Sequence, residues 1–183
     1  MTFTWTAHRF AGGALALDVA NSVILRAETE KSVDRFAASE QIDSFCEAAI
    51  LLSGERDVFP ALLPPTSANR QSLIDLREAT DRYFRTLIAD GLDDDGALAD
   101  LLTASANALR NAPNKHSLES STARSVLGLL AGPDRERIRI CGNCGWLFLD
   151  RSKNRSRIWC DMAVCGNRQK AAKHYRRKKE TAL

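Results

Sequence analysis

Residues 141–168 read CGNCGWLFLDRSKNRSRIWCDMAVCGNR, and the spacing of their four cysteines decides how the last quarter of the chain folds. Cys141 and Cys144 form a C-x2-C pair, fifteen residues separate Cys144 from Cys160, and Cys160-x4-Cys165 makes a second pair. A C-x2-C turn aims two thiolates at one point, and a second pair carried back by a hairpin completes a tetrahedron. Zinc favours that donor set, because it takes four soft ligands without a geometric demand from d-electrons. The first pair and the long gap fit the usual zinc template, while the second gap is wider than the usual two residues. Four thiolates fill the coordination shell, so the expected ion is structural rather than catalytic. A segment of this size has little core of its own, and zinc can supply on the order of 10–16 kcal/mol toward its folding.

Around the cysteines, Ile138 to Cys141 and Trp146 to Leu149 read as two strands and Arg155 to Cys160 as a third. Cys165-Gly166-Asn167 begins a helix that runs to about Lys179. Knuckle, hairpin and helix in that order are treble-clef-like, and thiolates at a helix start gain from its dipole. Ala171 and Tyr175, one turn apart, are expected to pack on the hairpin, with Trp146 and Trp159 in the module's small core. His174 is expected on the surface of the helix.

Charge divides the chain at the same place. Residues 1–134 carry 12 basic and 19 acidic side chains, a balance of −7, whereas residues 135–183 carry 14 and 4, a balance of +10. A strongly basic end on an acidic body points to a polyanion partner for that end alone. The cations expected to face such a partner are Arg151, Lys153, Arg155 and Arg157 before the helix, then Arg168, Lys170, Lys173, Arg176, Arg177 and Lys178 on it. Phosphate contacts from Lys and Arg supply most non-specific affinity for nucleic acid. The plainer alternative is a solvated basic tail.

Upstream the pattern is helical, and Gly132-Pro133 marks the boundary between residues 1–134 and 135–183. Thr2 to Thr6 alternates polar and aromatic residues, a short strand signal. Ala14 to Leu25 is apolar around most of its circumference and reads as a deeply buried helix. Asp18 and Asn21 share one face of it, with Arg26 beyond; they either tie neighbouring backbone or form a small polar ligand pocket. Ser39 to Leu52 is a helix with Ile42, Phe45, Cys46, Ala49 and Ile50 inward, Cys46 acting as a small buried hydrophobe. Ser67 to Ala89 is the longest helix, with Leu73, Leu76, Thr80, Tyr83 and Leu87 in a stripe. Asp93-Asp94-Asp95 starts a helix from Gly96 to Arg110 that buries Leu98, Leu101, Leu102 and Leu109. Asn111 to Ser121 reads as a loop and Thr122 to Leu130 as a short helix. The fold class expected is therefore mainly α, with a small zinc module at its end.

Cys141-Gly-Asn-Cys144-Gly-Trp-Leu-Phe148-Leu-Asp150, Ser152, Asn154, Arg157, Trp159-Cys160, Met162 and Cys165-Gly166-Asn167-Arg168 together resemble the CGNR zinc-finger family. Lys170 and Tyr175-Arg176-Arg177 follow. Gly12-Gly13, Leu17-Asp18 and Asn21 resemble the ABATE domain that usually precedes this finger, with Phe45 where that family often has Trp. The resemblance implies a bacterial transcription regulator in which Cys141, Cys144, Cys160 and Cys165 hold zinc and the finger binds duplex DNA. An effector-binding or dimerising role would fall to the helical part. The alternative is a zinc-stabilised module for RNA or an acidic protein surface. No paired catalytic carboxylates, Cys-His constellation or Gly-rich phosphate loop stand out, so an enzyme is not expected. Without an apolar run of about 18 residues or a signal-like start, the expected location is cytoplasmic and no membrane partner is expected. Reduced thiols there favour metal over disulfides.

Overall fold

Apolar residues at helical spacing place the body's helices, and one of them organises the rest. In the computed structural model, which describes residues 3–181, that helix is α3, Arg70–Ala89. Leu73, Leu76, Thr80 and Tyr83 are all buried along its inner stripe, as the spacing predicts. It packs against α1 (Leu15–Ala20), α4 (Asp95–Asn111) and α5 (Leu118–Ala131). The helix α2, Ser39–Leu52, lies beside an aromatic cluster in which Trp5 and Phe36 meet Phe45 edge-on at 5.0 and 5.1 Å. Cys46 belongs to this cluster, where burial pushes its thiol up to about 12; it lies outside the cysteine tetrad. Two antiparallel pairs complete the fold: β1 (Val23–Ile24) with β2 (Val33–Asp34), and β3 (Ile138–Ile140) with β4 (Leu147–Leu149). The last element, α6, spans Asn167–Thr181. No helix among the described residues is long and apolar enough to cross a membrane.

Several expected elements differ. Phe3 to Thr6 joins no strand among the described residues and leads into a 3-10 turn at Ala7–Phe10, because Trp5 is held in the aromatic cluster; Thr2 lies outside the described residues. The first helix stops at Ala20 instead of Leu25, since the Asn21 side chain is spent on another strand and Val23 and Ile24 enter β1. α5 begins four residues before Thr122, at Leu118, drawn in by a fully buried Leu118 and a backbone pairing of Leu63 with residues 116 and 118. On α4, Leu101 is buried but Leu102 is 44 % exposed, because the helix offers α3 and α5 only one stripe. Asp94 caps α4 by accepting from the Ala97 N–H at 2.9 Å.

Asp18 ties its own backbone. Its Oδ1 accepts from the Gly12 N–H at 3.0 Å and its Oδ2 lies 2.9 Å from Ser53 Oγ. A Cβ on Gly12 would sit 2.6 Å from that same Oδ1, so only glycine permits the approach. Complete burial raises the Asp18 carboxyl well above its ordinary range, outweighing the bonds from Ser53 and Gly12 that favour the anion. The folded state therefore binds the proton more tightly than the unfolded chain. The resulting stability is full below the unfolded value of about 3.9 and is lost as pH rises through the folded one. Asp18→Asn, which keeps the shape without the charge, is expected to gain stability over the parent progressively as pH rises above the unfolded value of about 3.9. Denaturation midpoints of both proteins across that range check it; a difference independent of pH contradicts it.

Candidate metal centre and basic helix

The C-x2-C knuckle forms because its turn satisfies its own backbone. The Gly145 N–H donates to Cys141 O at 2.9 Å and the Cys141 N–H to Trp146 O at 2.8 Å. Gly145 takes φ +73°, a left-handed conformation that a side chain would disfavour. The Gly142 N–H reaches Ile158 O at 3.0 Å, which brings the returning chain and Cys160 alongside. This return is irregular rather than the third strand expected over Arg155 to Cys160. A buried Asp150 shapes it instead, accepting from the Ser152 N–H at 2.9 Å and the Arg157 N–H at 2.8 Å. Cys165 then arrives in a π-helical turn, Met162–Gly166, capped by Asp161 through the Ala163 N–H at 2.8 Å.

The Sγ atoms of Cys141, Cys144, Cys160 and Cys165 all lie within 4.8 Å of one another. Cys144 and Cys160 are 3.6 Å apart, and Cys160 and Cys165 are 3.7 Å apart. Sulfurs 2.3 Å from one tetrahedral zinc stand about 3.8 Å from each other, so the tetrad fits one zinc ion. These distances are far longer than a disulfide. Hydrogen bonds from Cys144 and Cys160 lower the Cys141 thiol, and the crowding then pushes Cys144 up to about 12 and Cys160 higher still. Four like groups so close cannot all ionise without a cation among them. With zinc bound they form a closed four-sulfur shell whose role is structural.

Neighbours that the sequence did not single out surround the tetrad. Asn143 Nδ2 donates to Cys165 Sγ at 3.4 Å, and Gln169 Nε2 donates to Asn143 Oδ1 at 2.9 Å. His8 Nε2 lies 4.0 Å from Cys165 Sγ while its Nδ1 meets Asp161 at 3.1 Å. A residue 157 positions upstream leaves no local signal, whereas Asp161 follows Cys160 in the manner of a helix cap.

The knuckle is also locked to the body. Ile138, Leu147 and Leu149 share one apolar cluster with Leu76, Tyr83 and Val126. The Leu149 N–H donates to Gly12 O at 2.9 Å, and Arg85 Nη1 donates to Gly145 O at 2.9 Å. Asn21 bridges both backbone groups of Leu147, donating to its oxygen at 2.8 Å and accepting from its N–H at 3.0 Å. Packing thus runs across the 134/135 division. Asn21→Ala leaves two buried backbone groups unsatisfied, for an expected loss of about 2–5 kcal/mol; chemical denaturation of the zinc-loaded protein measures it, and a loss below about 1 kcal/mol would refute the assignment.

Of the three residues expected at a ligand pocket, Asn21 and Arg26 border one cavity and Asp18 is not among its lining. The basic residues separate likewise. Arg151 and Arg155 stand 3.7 and 3.5 Å from Asp134 and Glu136, and Arg157 donates to Cys160 O. Arg168, Lys170, Lys173, Arg176, Arg177 and Lys178 are exposed on α6, while Lys153 is exposed in the preceding turn. Ala171 and Tyr175 do not pack on the hairpin. Tyr175 is 73 % exposed, every described side chain from Lys170 to Lys179 is exposed, and α6 packs on the Met162–Gly166 turn instead. Trp146 is buried as expected, whereas Trp159 is half-buried and borders a cleft with Lys170, Lys173 and Arg176.

A helical body locked to a four-cysteine knuckle, with a cationic helix leading away from it, defines a zinc-stapled helical protein. Residues 137–178 match the family model of the CGNR zinc finger. The helical body lies outside that match, and no curated protein matches the chain.

Proposed function

We propose that the protein binds duplex DNA through α6 and acts as a transcription regulator, as a binding protein and not an enzyme. The observation that carries this reading is the exposure of α6. From Asn167 to Lys179 the helix contains no acidic residue, and its side chains from Lys170 to Lys179 are exposed. Isolated helices of this length are marginal, and like charges three or four positions apart destabilise them further. A polyanion along the helix removes that repulsion, and an α-helix fits the major groove of B-DNA. The zinc shell supports the same reading, since it fixes the helix start without offering a position for substrate.

Trp159 favours a second reading, single-stranded RNA. Its half-buried ring borders a cleft of about 500 Å³ with Lys170, Lys173 and Arg176, where an unpaired base could stack beside backbone-binding cations. A competition titration of the full zinc-loaded chain with duplex DNA, single-stranded RNA and heparin separates the two. Preference for duplex supports the regulator; RNA preference that is lost in Trp159→Ala supports the second reading; equal displacement by heparin removes both.

A further inference from the structure

Phe3, half-buried beside the aromatic cluster, carries two guanidinium groups. Arg35 Cζ stands 3.9 Å from its ring centroid and Arg9 Cζ 5.3 Å, and Arg9 also lies 5.3 Å from the Trp146 ring. We propose that Arg9 and Arg35, together with Arg168 at the start of α6, form a phosphate-binding patch through which the helical body joins the duplex-DNA interface. The proposal rests on the reading of α6 as a DNA-binding helix and adds to it a contact from the other end of the chain.

Three stretches of chain bring like charges together here: the turn Ala7–Phe10, the residue after β2 and the first turn of α6. Burial lowers the Arg9 guanidinium from its usual range, and the charges of Arg35 and Arg168 lower it further, opposed by a smaller pull from Cys144. Two carboxylates nearby in sequence are already engaged: Asp34 takes Arg77 at 2.6 and 2.8 Å, and Asp161 takes His8 at 3.1 Å. Among the described residues, the side chains of Arg9, Arg35 and Arg168 pair with no carboxylate and donate no hydrogen bond. Arg26, Arg77, Arg85 and Arg135, by contrast, each meet an acidic partner. Zinc on four thiolates leaves a doubly negative shell, which Arg9 beside Cys144 and Arg157 on Cys160 O offset. Arg35 and Arg168 then remain without a counter-charge.

The stacking also prepares these side chains for phosphate. A guanidinium lying on an aromatic face keeps its N–H edge free, and a phosphate accepts two parallel bonds from that edge. Arg35 Nε is buried, whereas its Nη atoms and the Arg9 guanidinium keep accessible surface. Resting Arg9 against two rings and Arg35 on one removes rotamer freedom that a loose arginine would lose only on binding. From Arg168 the same helix carries Lys170 and Lys173, so the positive surface runs on to Lys179 without an acidic residue. A duplex presents a phosphate charge about every 1.7 Å along its axis. A helix in the groove leaves the flanking phosphates open, and contacts to them fix the register of a protein on DNA.

Fluorescence anisotropy of a labelled duplex, titrated with the full zinc-loaded chain at several salt concentrations, tests the patch. Arg9→Gln with Arg35→Gln is expected to weaken binding about 10–30-fold at low salt. The slope of log affinity against log salt should flatten by about 1.8, two contacts at about 0.9 each. Arg35→Gln alone leaves Arg9 on Trp146 and should flatten it by about 0.9, which keeps the test decisive if the double variant loses zinc. Arg9→Lys with Arg35→Lys should keep the parent slope, since the charge remains, while affinity falls with the loss of the fork. An affinity loss with an unchanged slope in the Gln variants assigns both side chains to packing alone and overturns the patch, as does an unchanged affinity. A parent that does not bind duplex removes the DNA reading itself, and the patch with it.

Discussion

Stripping zinc from the full chain is expected to lower the melting temperature of the whole molecule by more than about 10 °C, in one transition. Zinc contributes on the order of 10–16 kcal/mol in finger peptides. A chain of this size shifts by about 2–4 °C for each kcal/mol, so a loss of even about 5 kcal/mol passes that threshold. The loss reaches the body because the knuckle is built into it. Ile138, Leu147 and Leu149 complete the cluster that also contains Leu76, Tyr83 and Val126. Arg135 adds a tie from the connecting turn, donating to Asp93 at 2.6 Å. Calorimetry with and without a chelator, and Cys160→Ser against Cys46→Ala, checks this. Cys46 lies in the aromatic cluster, so its substitution should cost little and leave the zinc content unchanged. A body transition that stays in place after complete zinc loss would show that residues 137–178 are an independent appendage.

The same interlock explains which parts of the molecule were legible in the sequence. The four cysteines announce themselves because thiolates at one metal need a fixed local spacing, and the helices α2 and α3 because their apolar stripes repeat every turn. The bridge from Asn21 to Leu147 spans 126 positions, and the contact between His8 and Cys165 spans 157. Neither has a local period. Asn21 stood out only as a polar residue in an apolar run, a signal that cannot distinguish a backbone tie from a ligand pocket. It proves to be both a tie and a part of a cavity wall. Asp18, its helical neighbour, points its two oxygens at Gly12 and Ser53 instead. Tyr175 misled in the opposite direction. An aromatic one turn from an alanine usually marks a packed face, yet here α6 leaves the body before either can reach it.

That departure gives the second large effect its clean form. Replacing Lys170, Lys173, Arg176 and Lys178 together by Gln is expected to weaken duplex binding by about 10²–10³-fold at low salt. If each side chain meets one phosphate, the slope of log affinity against log salt should flatten by about 3.6, four contacts at about 0.9 each. Stability should stay within about 0.5 kcal/mol of the parent, because all four side chains are exposed. Helix content, if it changes, should rise, since Gln removes like-charge repulsion and is itself a good helix former. Arg151→Gln with Arg155→Gln is the informative comparison: those guanidiniums already face Asp134 and Glu136, so their removal should cost less per charge. Fluorescence anisotropy of a labelled duplex at several salt concentrations, beside thermal melts of each variant, measures both quantities. Unchanged affinity in the fourfold variant would mean that the exposed cations of α6 serve only solubility, and the proposed contact with DNA would fall with it.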